Sequence, residues 1–205
     1  IVADIAEFEK PLVIDVYRIV ADKPHQYDLP VHHSGQIIRT DFEYQTQSTL
    51  KPLGADNGYQ HLWHVASGNV SGSSLVSWLH GNSYYSLVAS ATANSEVIFA
   101  RTGANDPDFN LRSEPAFILR QSGQNHVFAS VLETHGYFNE SIEASVGARG
   151  LVSKVVVLGH NDNATVINVS TTSGKNYVVA ISNLTGEALE AQHCVEFNGN
   201  RYQWQ

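Results

Sequence analysis

The sequence predicts an all-β chain whose natural architecture is a two-layer antiparallel β-sandwich. Three observations carry that expectation. Short runs rich in Val, Ile, Tyr and Phe recur along the whole chain, some alternating with polar residues and some continuously apolar, as half-buried and buried strands do. Turn chemistry built on Gly, Asn and Asp separates many of them. No stretch sustains a 3.6-residue period over twelve residues, so no helices stand between the strands and neighbouring strands must pair antiparallel.

In chain order the runs fall at residues 12–20, 37–45, 61–66, 74–79, 84–91, 96–101, 116–121, 126–133, 152–159, 164–170, 176–182 and 194–197. Turns are expected at Asp56-Asn57-Gly58, His80-Gly81-Asn82, Gln121-Ser122-Gly123 and Asn198-Gly199-Asn200. There is no internal repeat to suggest a propeller or β-helix. No low-complexity linker divides the chain, so residues 1–205 read as a single β-sandwich domain. At 205 residues, 42% of them hydrophobic, such a chain buries roughly 70% of its unfolded surface. It needs no disulfide, and with Cys194 its only cysteine it can form none internally. The absence of methionine and the opening Ile1-Val2-Ala3-Asp4 suggest a piece of something longer.

A net charge of −8 argues against nucleic acid as a partner, while leaving room for a local basic pocket that takes an acidic ligand. No apolar run approaches the roughly 20 residues of a membrane span. Signatures of a serine nucleophile elbow, a phosphate-binding glycine loop and an HExxH helix are all missing.

Among polar residues, Asp15 stands inside the apolar run Val13-Ile14-Asp15-Val16-Tyr17-Arg18. Period two puts it on one face with Tyr17 and Ile19, opposite Ile14, Val16 and Arg18. A carboxylate buried there is paired with a cation or coordinates a metal. Histidine is enriched, with ten in the chain, including His32-His33, His61 and His64. One Asp with two His and a water makes an ordinary zinc set. His61 shares its expected strand face with Tyr59 and Trp63, an aromatic surface suited to sugar, whereas His64 faces the protein with Leu62. Asp15, His33 and His64 are therefore the candidate metal ligands. The polar stretch 99–112 reads as a structured loop in which Arg112 pins a carboxylate. Glu133 and His135 share a strand face and are candidates for a hydrogen-bonded pair or a second polar site.

Taken together, Asp15-Val16-Tyr17-Arg18, LGADNGYQHLW at 53–63, FARTGANDPDFNLRSEPAFILR at 99–120, VLETHGY at 131–137 and the closing Arg201-Tyr202-Gln203-Trp204 resemble the C-terminal part of family 17 alginate lyases. The resemblance implies a heparinase II/III-like layout, with a helical (α/α) toroid first and an antiparallel β-sandwich after it. It implies β-elimination on a uronate-containing glycan and a structural zinc in the sandwich, to which Asp15, His33 and His64 would correspond. In that reaction a side chain neutralises the uronate carboxylate, a base takes the C5 proton and an acid protonates the departing O4. Arg39, His32 or His61 would supply charge, and Tyr59 or Tyr44 acid–base chemistry. Tyr59, His61 and Arg39 are the expected cleft residues. The helical domain that completes the site is the implied partner, so this segment alone should be inactive.

The implied ligand is an acidic, alginate-type oligosaccharide, met in the periplasm or outside a bacterial cell. The competing reading, from another class, is a non-catalytic carbohydrate-binding β-sandwich with Trp63, Tyr59 and Trp78 as a sugar platform.

Overall fold

The computed structural model describes residues 1–103, 113–188 and 190–205. Those residues form thirteen strands and one short turn of 3₁₀ helix. The strands are β1 (Val2–Ala3), β2 (Leu12–His32), β3 (Gln36–Thr40), β4 (Gln45–Pro52), β5 (Leu62–His80), β6 (Ser83–Thr102), β7 (Glu114–Asn139), β8 (Ala144–Val146), β9 (Val152–His160), β10 (Ala164–Thr171), β11 (Asn176–Ser182), β12 (His193–Phe197) and β13 (Asn200–Trp204). The 3₁₀ turn, η1, is Tyr59–His61. The all-β antiparallel class expected from the sequence is found. No helix among the described residues is long and apolar enough to cross a membrane.

Eight strands make one large sheet in the order β1-β2-β7-β6-β5-β3, with β4 also on β5 and β8 on β7. A three-stranded sheet, β11-β10-β9, and the hairpin β12-β13 complete the fold. Three pairs of expected strands are each one long strand. Of the expected run 61–66 all but His61 belongs to β5 together with 74–79, while 84–91 and 96–101 belong to β6, and 116–121 and 126–133 to β7. The tripeptide Gln121-Ser122-Gly123 therefore lies within β7 and is not a chain reversal. Its turn-forming residues instead serve a break in register. Pairing slips between Val20 and His25 on β2, between Val70 and Gly72 where β5 meets β6, and between Ala89 and Glu96 on β6. Such bulges bend and twist the strands that carry them.

Because these breaks fall at mid-strand on every long strand, they divide the large sheet into two arms. The near arm holds residues 12–20, 36–40, 72–80, 83–89 and 125–137. The far arm holds 25–32, 62–70, 96–102 and 114–123. One core gathers Leu12, Ile14, Leu75, Val88, Val127, Ala129 and Val131 of the near arm with Val152, Val155, Ile167 and Val169 of the small sheet. A second gathers Val76, Trp78, Leu87 and Phe128 of the near arm with Ala66, Val70, Val97, Phe99, Phe117 and Leu119 of the far arm. Adjacent residues such as Leu75 and Val76, or Leu87 and Val88, enter opposite cores, as period two requires. The central strands of the near arm, β5, β6 and β7, are thus covered on both faces, which is why they read as nearly continuous apolar runs there.

Candidate functional site

The second core opens at one end into a cleft of about 610 Å³, within the range of about 300–1,000 Å³ usual for small-molecule sites. It forms where β2 leaves the far arm and the chain crosses to β3 on the near arm. His33 to Ile37 make that crossing and line the cleft. The crossing depends on Gly35, whose φ is 95° and whose place admits no side chain: a Cβ there would stand 2.0 Å from the Leu79 carbonyl oxygen. The opposite wall comes from Phe99 and Arg101, which period two sets on one face of β6, and from Glu114 to Ala116 at the start of β7. Tyr44 and Thr46 close the side, with the Tyr44 ring edge-on to Phe99 at 5.3 Å.

His33 is 9% exposed. Its imidazole packs between Trp78 at 5.5 Å and Phe117 at 5.9 Å. Neither ring nitrogen has a hydrogen-bond partner among the described residues. Burial lowers its pKa, and the positive charge of Arg101 acts in the same direction, partly offset by the Ser34 backbone, which approaches the ring without meeting the geometry of a hydrogen bond. At neutral pH the ring is uncharged, with one nitrogen a donor and the other an acceptor. Arg101 reaches solvent at the cleft rim.

A second polar cluster lies on the far arm. Arg120 grips Asp28 with two hydrogen bonds, at 2.8 and 2.7 Å, and the Tyr59 hydroxyl donates to the same carboxylate at 2.6 Å. Burial raises the Asp28 pKa, but Arg120 and Tyr59 together more than reverse that, and the net movement is down. Donation to Asp28 holds the Tyr59 phenol protonated and raises its pKa. The cluster pins the 3₁₀ turn against β2.

A third cluster is buried in the near arm. Nδ1 of His135 faces the Gly147 carbonyl oxygen at 2.7 Å and so carries the proton. Its Nε2 then accepts from the Ser86 hydroxyl at 2.8 Å, and Ser86 accepts in turn from Ser77 at 2.7 Å. Glu133 is not bonded to His135. It accepts from the backbone N–H groups of Leu151 and Val152 at 2.8 and 2.9 Å, tying β7 to the start of β9.

The structure distributes the sequence-derived residues differently from the expectation. Asp15 is exposed on the outer face of β2, with Val13 and Tyr17 beside it, so its carboxylate keeps its water and requires neither a cation nor a metal. His33 lines the main cleft, and His64 lines a separate one with Lys51, Gln47 and Leu53. Among the described residues no group of three or more His, Cys, Asp or Glu is placed to hold a metal ion. The structure thus does not bring Asp15, His33 and His64 together.

His61 and Arg39 are exposed and line none of the clefts described here. Tyr59 and His61 share a 3₁₀ turn, so the strand face assumed for them with Trp63 does not exist. Trp78 is 7% exposed and stacked on Tyr85 at 5.7 Å, a core residue that cannot serve as a sugar platform. Of the polar stretch 99–112, residues 104–112, including Arg112, lie outside the described residues. Arg101 was legible only as part of that stretch. Its spacing of two from the apolar Phe99, at the end of a strand, was the available signal. His126 and His160 were not anticipated; both line a smaller cleft between β7 and β9, and burial lowers the pKa of each.

The fold and the main cleft define an antiparallel β-sandwich protein with a small-molecule-sized cleft that carries one guanidinium and one neutral, unpartnered imidazole. Over 197 residues the chain is 36% identical to an alginate lyase of Stenotrophomonas maltophilia (strain K279a), covering 95% of this chain and 26% of that protein. It is 35% identical over 188 residues to an exo-oligoalginate lyase of Saccharophagus degradans, covering 89% of this chain and 25% of the relative. The chain is thus similar to two proteins named as alginate lyases and spans about a quarter of the length of each. No family model matches it.

Proposed function

We propose that this chain is the β-sandwich part of a polysaccharide lyase that cleaves alginate or oligoalginate by β-elimination at a uronate residue, and that its main cleft forms one wall of the substrate site. The observation that carries the reading is 36% identity over 95% of the chain to a protein named alginate lyase. In the reaction a base takes the C5 proton, the C–H electrons form the C4–C5 double bond, and O4 leaves with a proton from an acid. The step needs positive charge against the uronate carboxylate, where negative charge grows. Arg101 is the group here suited to that duty. The acid and base come from the rest of the protein, in a helical domain, and the whole enzyme acts where alginate is met, in the periplasm or outside the cell.

The full-length protein incubated with oligoalginate should produce the C4–C5 double bond, read by its ultraviolet absorbance, and unsaturated products by mass spectrometry. Release of saturated products would mark a hydrolase instead. Binding without any cleavage would favour the carbohydrate-binding reading.

A further inference from the structure

We infer that the cleft between β3 and the ends of β6 and β7 is a subsite for a carboxylated sugar, in which Arg101 takes the carboxylate and His33 takes a ring hydroxyl. The inference rests on the functional reading above and adds the residues and their division of labour.

Four features of the cleft lead to it. First, His33 is a buried side chain left without partners: it is 9% exposed and neither nitrogen is bonded among the described residues. Leaving buried polar groups unpaired costs about 1–3 kcal/mol, a cost that a ligand bonding to the ring relieves. His33 lines the cleft, so a ligand there has access to it.

Second, the ring is enclosed by Trp78 and Phe117, apolar surroundings that favour its neutral form. A neutral imidazole offers one donor and one acceptor. A hydroxyl group matches both capacities, whereas a carboxylate only accepts and would pair with half of them. Third, Arg101 stands at the rim with its charge toward solvent, in reach of an anionic substituent and geometrically suited to a bidentate carboxylate. Fourth, Tyr44 and Phe99 present aromatic surface on the remaining side, to which the C–H face of a sugar ring packs. A hydroxyl partner, a carboxylate partner and an apolar wall together describe a uronate-type residue better than a simple anion or a neutral sugar.

The test measures binding calorimetrically on the full-length protein and two variants, Arg101→Gln and His33→Phe, with thermal melts to show that each is folded. The ligands are oligoalginate, oligogalacturonate and carboxyl-reduced oligoalginate, and cleavage of oligoalginate is followed in parallel. Arg101→Gln should weaken binding of the carboxylated oligosaccharide by about ten-fold or more and leave the reduced one unchanged. His33→Phe should weaken both alike. Folded variants that bind both ligands as the unaltered protein does would overturn the subsite, even if alginate is cleaved. Binding of none of the three ligands by the unaltered protein would overturn it too. Arg101-dependent binding of a carboxylated oligosaccharide without cleavage of alginate would uphold the subsite and sink the lyase reading.

Discussion

His33 and His135 are buried to nearly the same degree, 9% and 5% exposed, yet their surroundings are opposite. His135 has a partner on each nitrogen, Ser86 and Gly147, and the hydroxyl chain behind it extends to Ser77. His33 has aromatic rings on both sides and no partner on either nitrogen. The difference lies in what each neighbourhood can supply. His135 sits where β7 meets the backbone at Gly147 and the serines of β5 and β6, so folding itself completes its bonds. His33 sits at a chain crossing beside a cleft, and only something entering the cleft can complete them. Burial alone does not separate a structural histidine from one held ready for a ligand. Satisfaction of its hydrogen bonds does.

The comparison is open to direct test. His135→Ala removes a ring and leaves the Ser86 hydroxyl proton and the Gly147 carbonyl without their partner, so urea denaturation should show a loss of about 3 kcal/mol or more. A loss below about 1 kcal/mol would mean the network adds little. Arg120→Met, at a half-buried position of the far arm, should cost about 2–3 kcal/mol by leaving Asp28 without its charged partner. Its hydrogen exchange should rise around the Tyr59 turn, and an unaltered pattern there would separate the turn from the ion pair.

The pH dependence of stability should carry a common sign from His33, His126 and His160, each of which has a pKa lowered first by burial. The unfolded chain binds protons to these residues near the ordinary histidine value of about 6.5 before the folded chain does. Their contribution is therefore full above that value and is lost as pH falls through it toward the lower folded values. The melting temperature should drop between about pH 7 and pH 5, well above the window in which Asp28, with its lowered pKa, protonates. A flat profile over that interval would contradict the burial of these rings.

His33→Phe should change stability by less than about 1 kcal/mol, because it deletes two unpartnered nitrogens and keeps an aromatic ring between Trp78 and Phe117. A loss as large as that of His135→Ala would erase the distinction between the two sites. Asp15→Ala, on an exposed strand face, should fall within about 0.5 kcal/mol, and chelator should not alter the melting temperature of either form. A chelator-sensitive loss would restore Asp15 as a metal ligand.

The sheet class was legible because period two and turn residues act locally. Strands β9, β10 and β11 lie within a residue or so of their expected bounds, since each ends at an ordinary reversal. The doubling of strand length in β5, β6 and β7 was not legible, because Gly72, Ser122 and Gly123 serve a bulge as readily as a turn. Only pairing with a neighbour decides between them. The site was partly legible. His33 was singled out, though for a metal, and the alternation within 13–19 correctly set Asp15 apart from Ile14 and Val16. Which of those two faces would be buried is settled by the small sheet more than a hundred residues later, and it takes the Ile14 face. Arg101 was passed over because its value comes from His33 and Tyr44, which other segments bring to it.

The large sheet also has a history during synthesis. β2 pairs with β7, and the partners Asp28 and Arg120 are 92 residues apart in the chain. At about 5–20 residues per second, a ribosome completes β2 on the order of ten seconds before the strand that will cover its long edge exists. An unpaired strand of 21 residues is a template for joining another nascent copy. Asp22, Lys23 and Pro24 interrupt it midway, at the break in pairing between Val20 and His25. Two charges and a residue with no N–H are gatekeepers of the kind that suppress such joining. The kink that lets the finished sheet bend thus also guards the unfinished one, and replacing these three residues with apolar ones should show first as inclusion bodies during expression.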